Sequence, residues 1–463
     1  MPTQIHLNGF TQCCVNHHSE GQWKHPQDGT ARGYRDVRYW VELAQLLERG
    51  CFDSLFLADV HGTYSVYKGS RETAVRHGVQ FPSNDPTLII SAMAYATQHL
   101  GFACTYSTTY FAPYQTAKLF TTLDHLSNGR IGWNIVTSYL ADANANFGID
   151  DTLSHDERYD RADEYMDVVY KLWEHSWEDD ALVRDAARDV FIEPDRVHQI
   201  DHVGRWFQVP GPHMCEPSPQ RTPILFQAGQ SGRGTNFAAK HAEAIFCVYP
   251  HLDACTRGVT KIRAATAAAG RAADGLKVFQ GITVVVAPTA EEAQLKFATH
   301  KRYASPEGSL ALFSGWAGVD ISTLSPDQPL DKVESNAIQG VLGILREIDP
   351  DKRWTPRDIG ESMSVGSIMP KIVGTPAQVA DELERWMDTT GIDGFNIVPI
   401  VQPGGFRDFV EMVVPELQRR GRVRTAYDGD TLRENFFGRG QRHLAADHVA
   451  HRTLPPWKLR QGA

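Results

Sequence analysis

Residues 83–138 read SNDPTLIISAMAYATQHLGFACTYSTTYFAPYQTAKLFTTLDHLSNGRIGWNIVTS. PTLIISAMAYATQHL (86–100) has the length and apolar content of a helix. GFACTYST (101–108) is a short apolar run after a glycine, as expected of a buried strand. A helix over 114–127 stops at Asn128-Gly129, a left-handed turn signal, and RIGWNIVTS (130–138) is a second strand. Helix, strand, helix, strand with no hairpin between them implies parallel strands joined by crossovers.

The rhythm extends both ways along the chain. Upstream lie strand candidates 4–10 and 52–59 (FDSLFLAD), with a helix between them carrying Val37, Trp40, Val41, Ala44 and Leu47. Downstream, a helix built on Tyr159, Ala162, Tyr165, Met166, Val169 and Trp173 is followed by strands at 222–229, 243–250, 276–287 and 394–400. Thr289 with Glu292 is a capping box, and Thr375-Pro376 with Gln378 starts another helix. Eight strands with helices between most of them favour an α/β fold closed as a (β/α)8 TIM barrel over an open sheet. The expectation is one barrel spanning 1–463, with insertions near 11–33, 60–85, 139–155, 176–220 and 300–371 and a charged C-terminal tail placed on a partner subunit.

With 463 residues, 42% hydrophobic and 22% charged, the chain is globular rather than disordered. A net charge of −10 without a basic stripe argues against nucleic acid as a partner. No run of 18 apolar residues is present, so no membrane span is expected, and the start lacks a secretory pattern. Seven scattered cysteines without a CxxC fit reduced thiols in the cytoplasm.

In a barrel of this kind chemistry sits at the carboxyl ends of the strands. Those ends offer Phe10 and the following Cys13 to His18, Asp59, Thr105, Asn134, the glycine stretch GQSGRG (229–234), Phe246, Tyr249 and Asn396. GQSGRG lies between a strand and a helix, where Gly229, Ser231 and Gly232 could cradle a phosphate. It could equally be a tight turn with Ser231 as a helix N-cap. His155 and Tyr159 share a helix face, though HDERYDRADE reads as a solvated surface. His17, His18, His25 and Asp59 raise a metal site, as in a barrel metallohydrolase. Neither an HxH at the first strand nor an HExxH is present, so no metal is expected.

Several longer stretches are more specific than these motifs: GQWKHP (21–26), LERGCFDSLFLAD (47–59), 83–138, HDERYDRADEYMDVVYKLWEHSWEDDA (155–181) and PILFQAGQSGRG (223–234). Across almost its whole length the chain resembles the bacterial-luciferase-like flavin monooxygenases, in the branch of the nitrilotriacetate, dibenzothiophene-sulfone and dimethyl-sulfide enzymes. The resemblance implies a (β/α)8 barrel binding FMN, reduced by a separate NAD(P)H:FMN reductase that acts through a complex or through flavin diffusion. It places Asp59, Thr105 and Asn134 around the flavin ring, His155 and Tyr159 near the ribityl chain and phosphate, and Gly229, Ser231 and Gly232 on the phosphate. Phe10, His18, Phe56, Phe246 and Tyr249 correspond to the substrate side. Thr105, Asn134 and His18 are the catalytic candidates, the first two as hydrogen-bonding groups and His18 as a donor or proton-transfer group. The expected activity is oxygenation of a small sulfur-, nitrogen- or halogen-containing molecule by a homodimer or homotetramer. The alternative is a flavin-binding relative without catalysis.

Overall fold

The computed structural model describes residues 4–149, 153–229, 231–332, 345–349 and 351–452. Parts of the expected insertions at 139–155 and 300–371, Gln230 of the glycine stretch and the last eleven residues of the tail lie outside them. Eight parallel strands form the centre: β1 (His6–Gln12), β2 (Ser54–Ala58), β3 (Gly101–Ser107), β4 (Ile131–Val136), β5 (Ile224–Gln227), β6 (Ala244–Cys247), β7 (Lys277–Val286) and β8 (Gly394–Ile397). Each pairs with the next, and β8 pairs back onto β1 with Leu7 opposite Phe395, so the sheet closes into a (β/α)8 TIM barrel. Every strand foreseen from the sequence is present, within two or three residues at each end.

Six helices matter here: α1 (Val37–Arg49), α2 (Thr87–Tyr95), α3 (Pro113–Ser127), α4 (His155–Tyr170), α5 (Gly232–His241) and α6 (Leu252–Ala268). The α2 helix ends five residues before the expected 100. The Arg130 guanidinium, buried beneath it, donates to the carbonyls of Ala94, Thr97 and Leu100, at 2.8, 3.1 and 2.8 Å. Those carbonyls therefore have a partner without another helical turn.

In 176–220 there are two hairpins, and the second folds against α4, whose Glu164 carboxylate accepts backbone N–H bonds from Arg205, Trp206 and Phe207. The 300–371 insertion brings helices Pro306–Ala317 and Pro356–Met363 together over a small core including Phe313, Trp354 and Ile359. A short strand, Lys371–Gly374, pairs with the outer half of β7.

The described part of the tail does not wait for a partner subunit, contrary to the sequence expectation. Helix Leu432–Phe437 plugs the amino end of the barrel, placing Leu432 and Phe436 among Phe10, Phe56, Phe226 and Phe279. Arg433, 1% exposed, pairs with Glu243 at 2.7 Å and donates to the carbonyls of Thr222 and Pro223. The apolar interior needs a cover at its lower end, and the charges that made this segment look solvated are spent on backbone and on Glu243.

Candidate active site

The carboxyl ends of β2 to β5 and the first turns of α4 enclose a cavity of about 440 Å³. It is lined by Asp59 and His61 after β2, Thr105 and Ser107 of β3, Thr137 to Leu140 after β4, Gln227 of β5, and His155, Arg158 and Tyr159 of α4. Asp59, Thr105, His155 and Tyr159 thus come together as the sequence suggested.

Thr105 and Asn134 face each other in register on β3 and β4. Asn134 donates through Nδ2 to Thr105 Oγ1 at 2.8 Å, which leaves the hydroxyl hydrogen free to donate toward the cavity. Asn134 Oδ1 is buried without a protein partner. A buried carbonyl oxygen of that kind calls for a donor from outside the chain.

Asp59 accepts from the Val60 amide at 2.9 Å, and His61 Nε2 lies 3.5 Å from its other oxygen. Burial, then the nearby Asp85, push the Asp59 carboxyl well above its usual range, and burial lowers the His61 imidazole. Both shifts favour the neutral forms, so the pair is a neutral contact, and Asp59 can donate as well as accept.

Beside the cavity's Tyr159 the amino ends of α4 and α5 converge, although no residue of α5 lines the cavity. Ser231 is the N-cap of α5, its Oγ accepting from the Gly234 amide at 3.0 Å. The N-cap reading of Ser231 therefore holds locally; it leaves the hydroxyl hydrogen and the dipole end available to an anion. Arg233 in the first turn of α5 bonds Asp160 and Asp163 of α4 at 2.8 and 2.6 Å. Burial alone would raise the Asp163 carboxyl, but bonds from His241, Lys240 and Arg233 hold it well below its usual range. This lock fixes the two helix ends side by side. The Tyr159 hydroxyl lies between them. A Cβ at Gly229 would fall 2.3 Å from Gln227 Nε2 and 3.0 Å from that hydroxyl, and one at Gly234 would fall 2.9 Å from it. At Gly232 the space is open.

The expected substrate-side residues separate. Phe10, Phe56 and Phe246 form a cluster inside the barrel, with ring centroids 5.2 Å (Phe10–Phe56) and 4.8 Å (Phe10–Phe246) apart. His17 lies 4.6 Å and His18 5.6 Å from Phe10, and Trp316 covers His18 at 5.5 Å. Burial lowers His17 well below its usual value and His18 to about 3, so both imidazoles are neutral and His18 cannot act as an imidazolium near pH 7. Tyr249 is not part of this group. Side chains alternate along and just beyond β6: Phe246 and Val248 join the interior, whereas Tyr249 packs outward over Gly258 of α6. His25 stands against His300 and Tyr303, away from His17 and His18. Among the described residues no group of three or more His, Cys, Asp or Glu side chains could hold a metal ion.

Sequence reasoning missed Arg158, Tyr139 and Trp316. Arg158 was findable, since it stands between His155 and Tyr159 on the same helix face. Trp316 belongs to an insertion whose position over the barrel no local pattern gives.

Residues 16–394 match the model of the luciferase-like monooxygenases. The chain belongs to that family. It is 47% identical over 450 residues to the dimethyl-sulfide monooxygenase of Hyphomicrobium sulfonivorans, covering 97% of this chain and 94% of that protein. It is 49% identical over 452 residues to the long-chain alkane monooxygenase of Geobacillus thermodenitrificans, covering 98% of both. The crystal structure of a long-chain alkane monooxygenase superposes with a TM-score of 0.91 at 48% identity, over 98% of this chain and all of that one. A riboflavin lyase, crystallised with modified FMN and riboflavin, superposes at 0.88 with 36% identity, over 96% and 98%. This luciferase-like protein is a flavin-dependent monooxygenase. No helix among its described residues is long and apolar enough to cross a membrane.

Proposed function

We propose that the chain is the oxygenase of a two-component system that takes reduced FMN from a separate NAD(P)H:FMN reductase and oxygenates a small uncharged substrate. The observation that carries this reading is the cavity itself, polar and neutral at its strand end, with two helix amino ends beside its Tyr159. The residues fit FMN. Asn134 Oδ1 lacks a donor, and the space beside Gly232 in the first turn of α5 is open. Asp59, Thr105 and Asn134 would hold the ring, and His155, Arg158, Tyr159, Ser231 and the Gly232 amide the ribityl chain and phosphate. When bound, reduced FMN supplies the electrons that activate dioxygen. The Thr105 hydroxyl, oriented by Asn134, would donate to the reacting edge of the ring. Tyr139 and Leu140 would roof the cavity and exclude water.

The substrate side supports an uncharged molecule. Phe10, Phe56, Phe246, Trp316 and two neutral imidazoles would face it, and none of them can balance a carboxylate. Thioethers and alkyl groups suit aromatic walls, whereas aminopolycarboxylates need cations. Burial makes His18 a hydrogen-bonding group for the substrate rather than an acid. The chain would act as one barrel in the cytoplasm, where its seven free thiols stay reduced. Leu88 (78% exposed) and Tyr95 (94%) on α2, with Leu126 (60%) on α3, form an apolar face suited to a homo-oligomer.

The sequence has no second phosphate-cradling glycine motif for a dinucleotide. The purified chain with NADH and FMN should therefore consume no NADH until a flavin reductase is added. Steady NADH consumption by the chain alone would contradict the two-component reading.

A further inference from the structure

A second crevice opens where β7 and β8 part. They pair as far as Ile282 opposite Ile397. From Thr283 onward β7 pairs instead with Lys371–Gly374. The chain after β8 turns away through Ile400 and Val401, and a cavity of about 530 Å³ lies between. This cavity shares no lining residue with the flavin cavity.

Its apolar lining is Val285, packed with Ile400 and Val401, together with Val284 and Val286. Its polar side chains are Gln27 and those of two helices. Lys296 and His300, four apart on helix Ala290–Tyr303, face it from one side. Arg407 and Asp408, on the helix after β8, face it from the other. Lys296 is paired with Asp408. Arg407 is exposed, and among the described residues it has no acidic partner, so the crevice carries one cation in excess. His300 is 5% exposed, and its Nδ1 has no partner. Burial, then the charges of His25 and Lys296, keep the imidazole neutral. Gly404 leaves open space at the rim.

We propose that this crevice is a second ligand site, for a small amphiphilic anion: a monocarboxylate whose apolar chain lies on the valine and isoleucine lining and whose head meets Arg407 and His300 Nδ1–H. The chain accounts for the lining, the single negative charge matches the single excess cation, and the carboxylate gives the buried imidazole nitrogen its acceptor. The site stands independently of the flavin reading.

The test is calorimetric titration of the full chain with octanoate. Octanol supplies the chain without the charge, and acetate the charge without the chain. Octanoate should bind at one site and at least tenfold more tightly than either control. Arg407→Glu reverses an exposed charge outside the flavin cavity and should weaken octanoate at least tenfold while FMN affinity stays at its wild-type value. His300→Leu should weaken octanoate and leave octanol unchanged or tighter, with the unfolding temperature reporting that the variant is folded. Three results would overturn the proposal: no octanoate binding up to its solubility, equal binding by Arg407→Glu, or displacement of octanoate by FMN, which would put it in the flavin cavity.

Discussion

Ser231→Asp tests the anion end of the flavin site without disturbing the fold. Ser231 caps α5 through one side-chain oxygen, and Asp caps a helix about as well as Ser. The change therefore keeps the helix while placing a negative charge where a phosphate of about −1.5 to −2 would sit. Two unit charges about 4 Å apart repel by about 1 kcal/mol in water and about 4 kcal/mol at the effective dielectric of a protein surface. Ser231 is exposed, so the lower half of that range applies. For a near-dianion the cost is about 2–4 kcal/mol, or about 30- to 700-fold in affinity. The assay is fluorescence titration with FMN and, in parallel, riboflavin, which has the same ring and no phosphate. FMN affinity should fall by that factor and riboflavin affinity should hold. Equal losses for both ligands, or no loss for FMN, would refute the phosphate assignment.

Asn134→Ala and Thr105→Val should leave FMN affinity within a few-fold, because neither contacts the α5 end. Loss of one oriented hydrogen bond at a reacting centre costs about 2–4 kcal/mol in the barrier, so the ratio of product to hydrogen peroxide should drop sharply. Unchanged ratios in both variants would make the pair a structural strand contact. Glu20 is fully buried, and burial raises its carboxyl to about 8 from the ordinary 4.5. The folded state is thus fully favoured below pH 4.5, and this contribution is lost as pH climbs through 8. Glu20→Gln keeps an oxygen for the Asn16 amide and removes the titration. Its unfolding temperature relative to wild type should rise from pH 5 to about pH 8 and then level off; a constant difference would show that Glu20 ionises without penalty.

The strands were legible because a parallel strand covered on both faces is one unbroken apolar run, and FDSLFLAD, GFACTYST and GITVVV are such runs. The same local reading failed where long-range packing decides. Leu432 and Phe436 sit in a charged segment, and nothing nearby says that the barrel needs a plug. Tyr249 was paired with Phe246 although they are three positions apart along an extended chain, an odd offset that puts them on opposite faces. Arg158 was legible from the face that His155 and Tyr159 mark: HDERYDRADE presents Asp156 and Asp160 to solvent, while His155, Arg158 and Tyr159 turn to the cavity. The Thr105–Asn134 pair was legible as two strand ends, but its direction of donation, which leaves the threonine hydrogen free, required coordinates.

The account rests most directly on oxygen transfer. The chain, a flavin reductase, NADH and FMN would be incubated under 18O2 with dimethyl sulfide, longer thioethers and alkanes, and with nitrilotriacetate as the charged control. Mass spectrometry should find one 18O atom in the product of at least one uncharged substrate and none from nitrilotriacetate. NADH consumption that yields only hydrogen peroxide with every uncharged substrate, or labelled product from nitrilotriacetate alone, would contradict it.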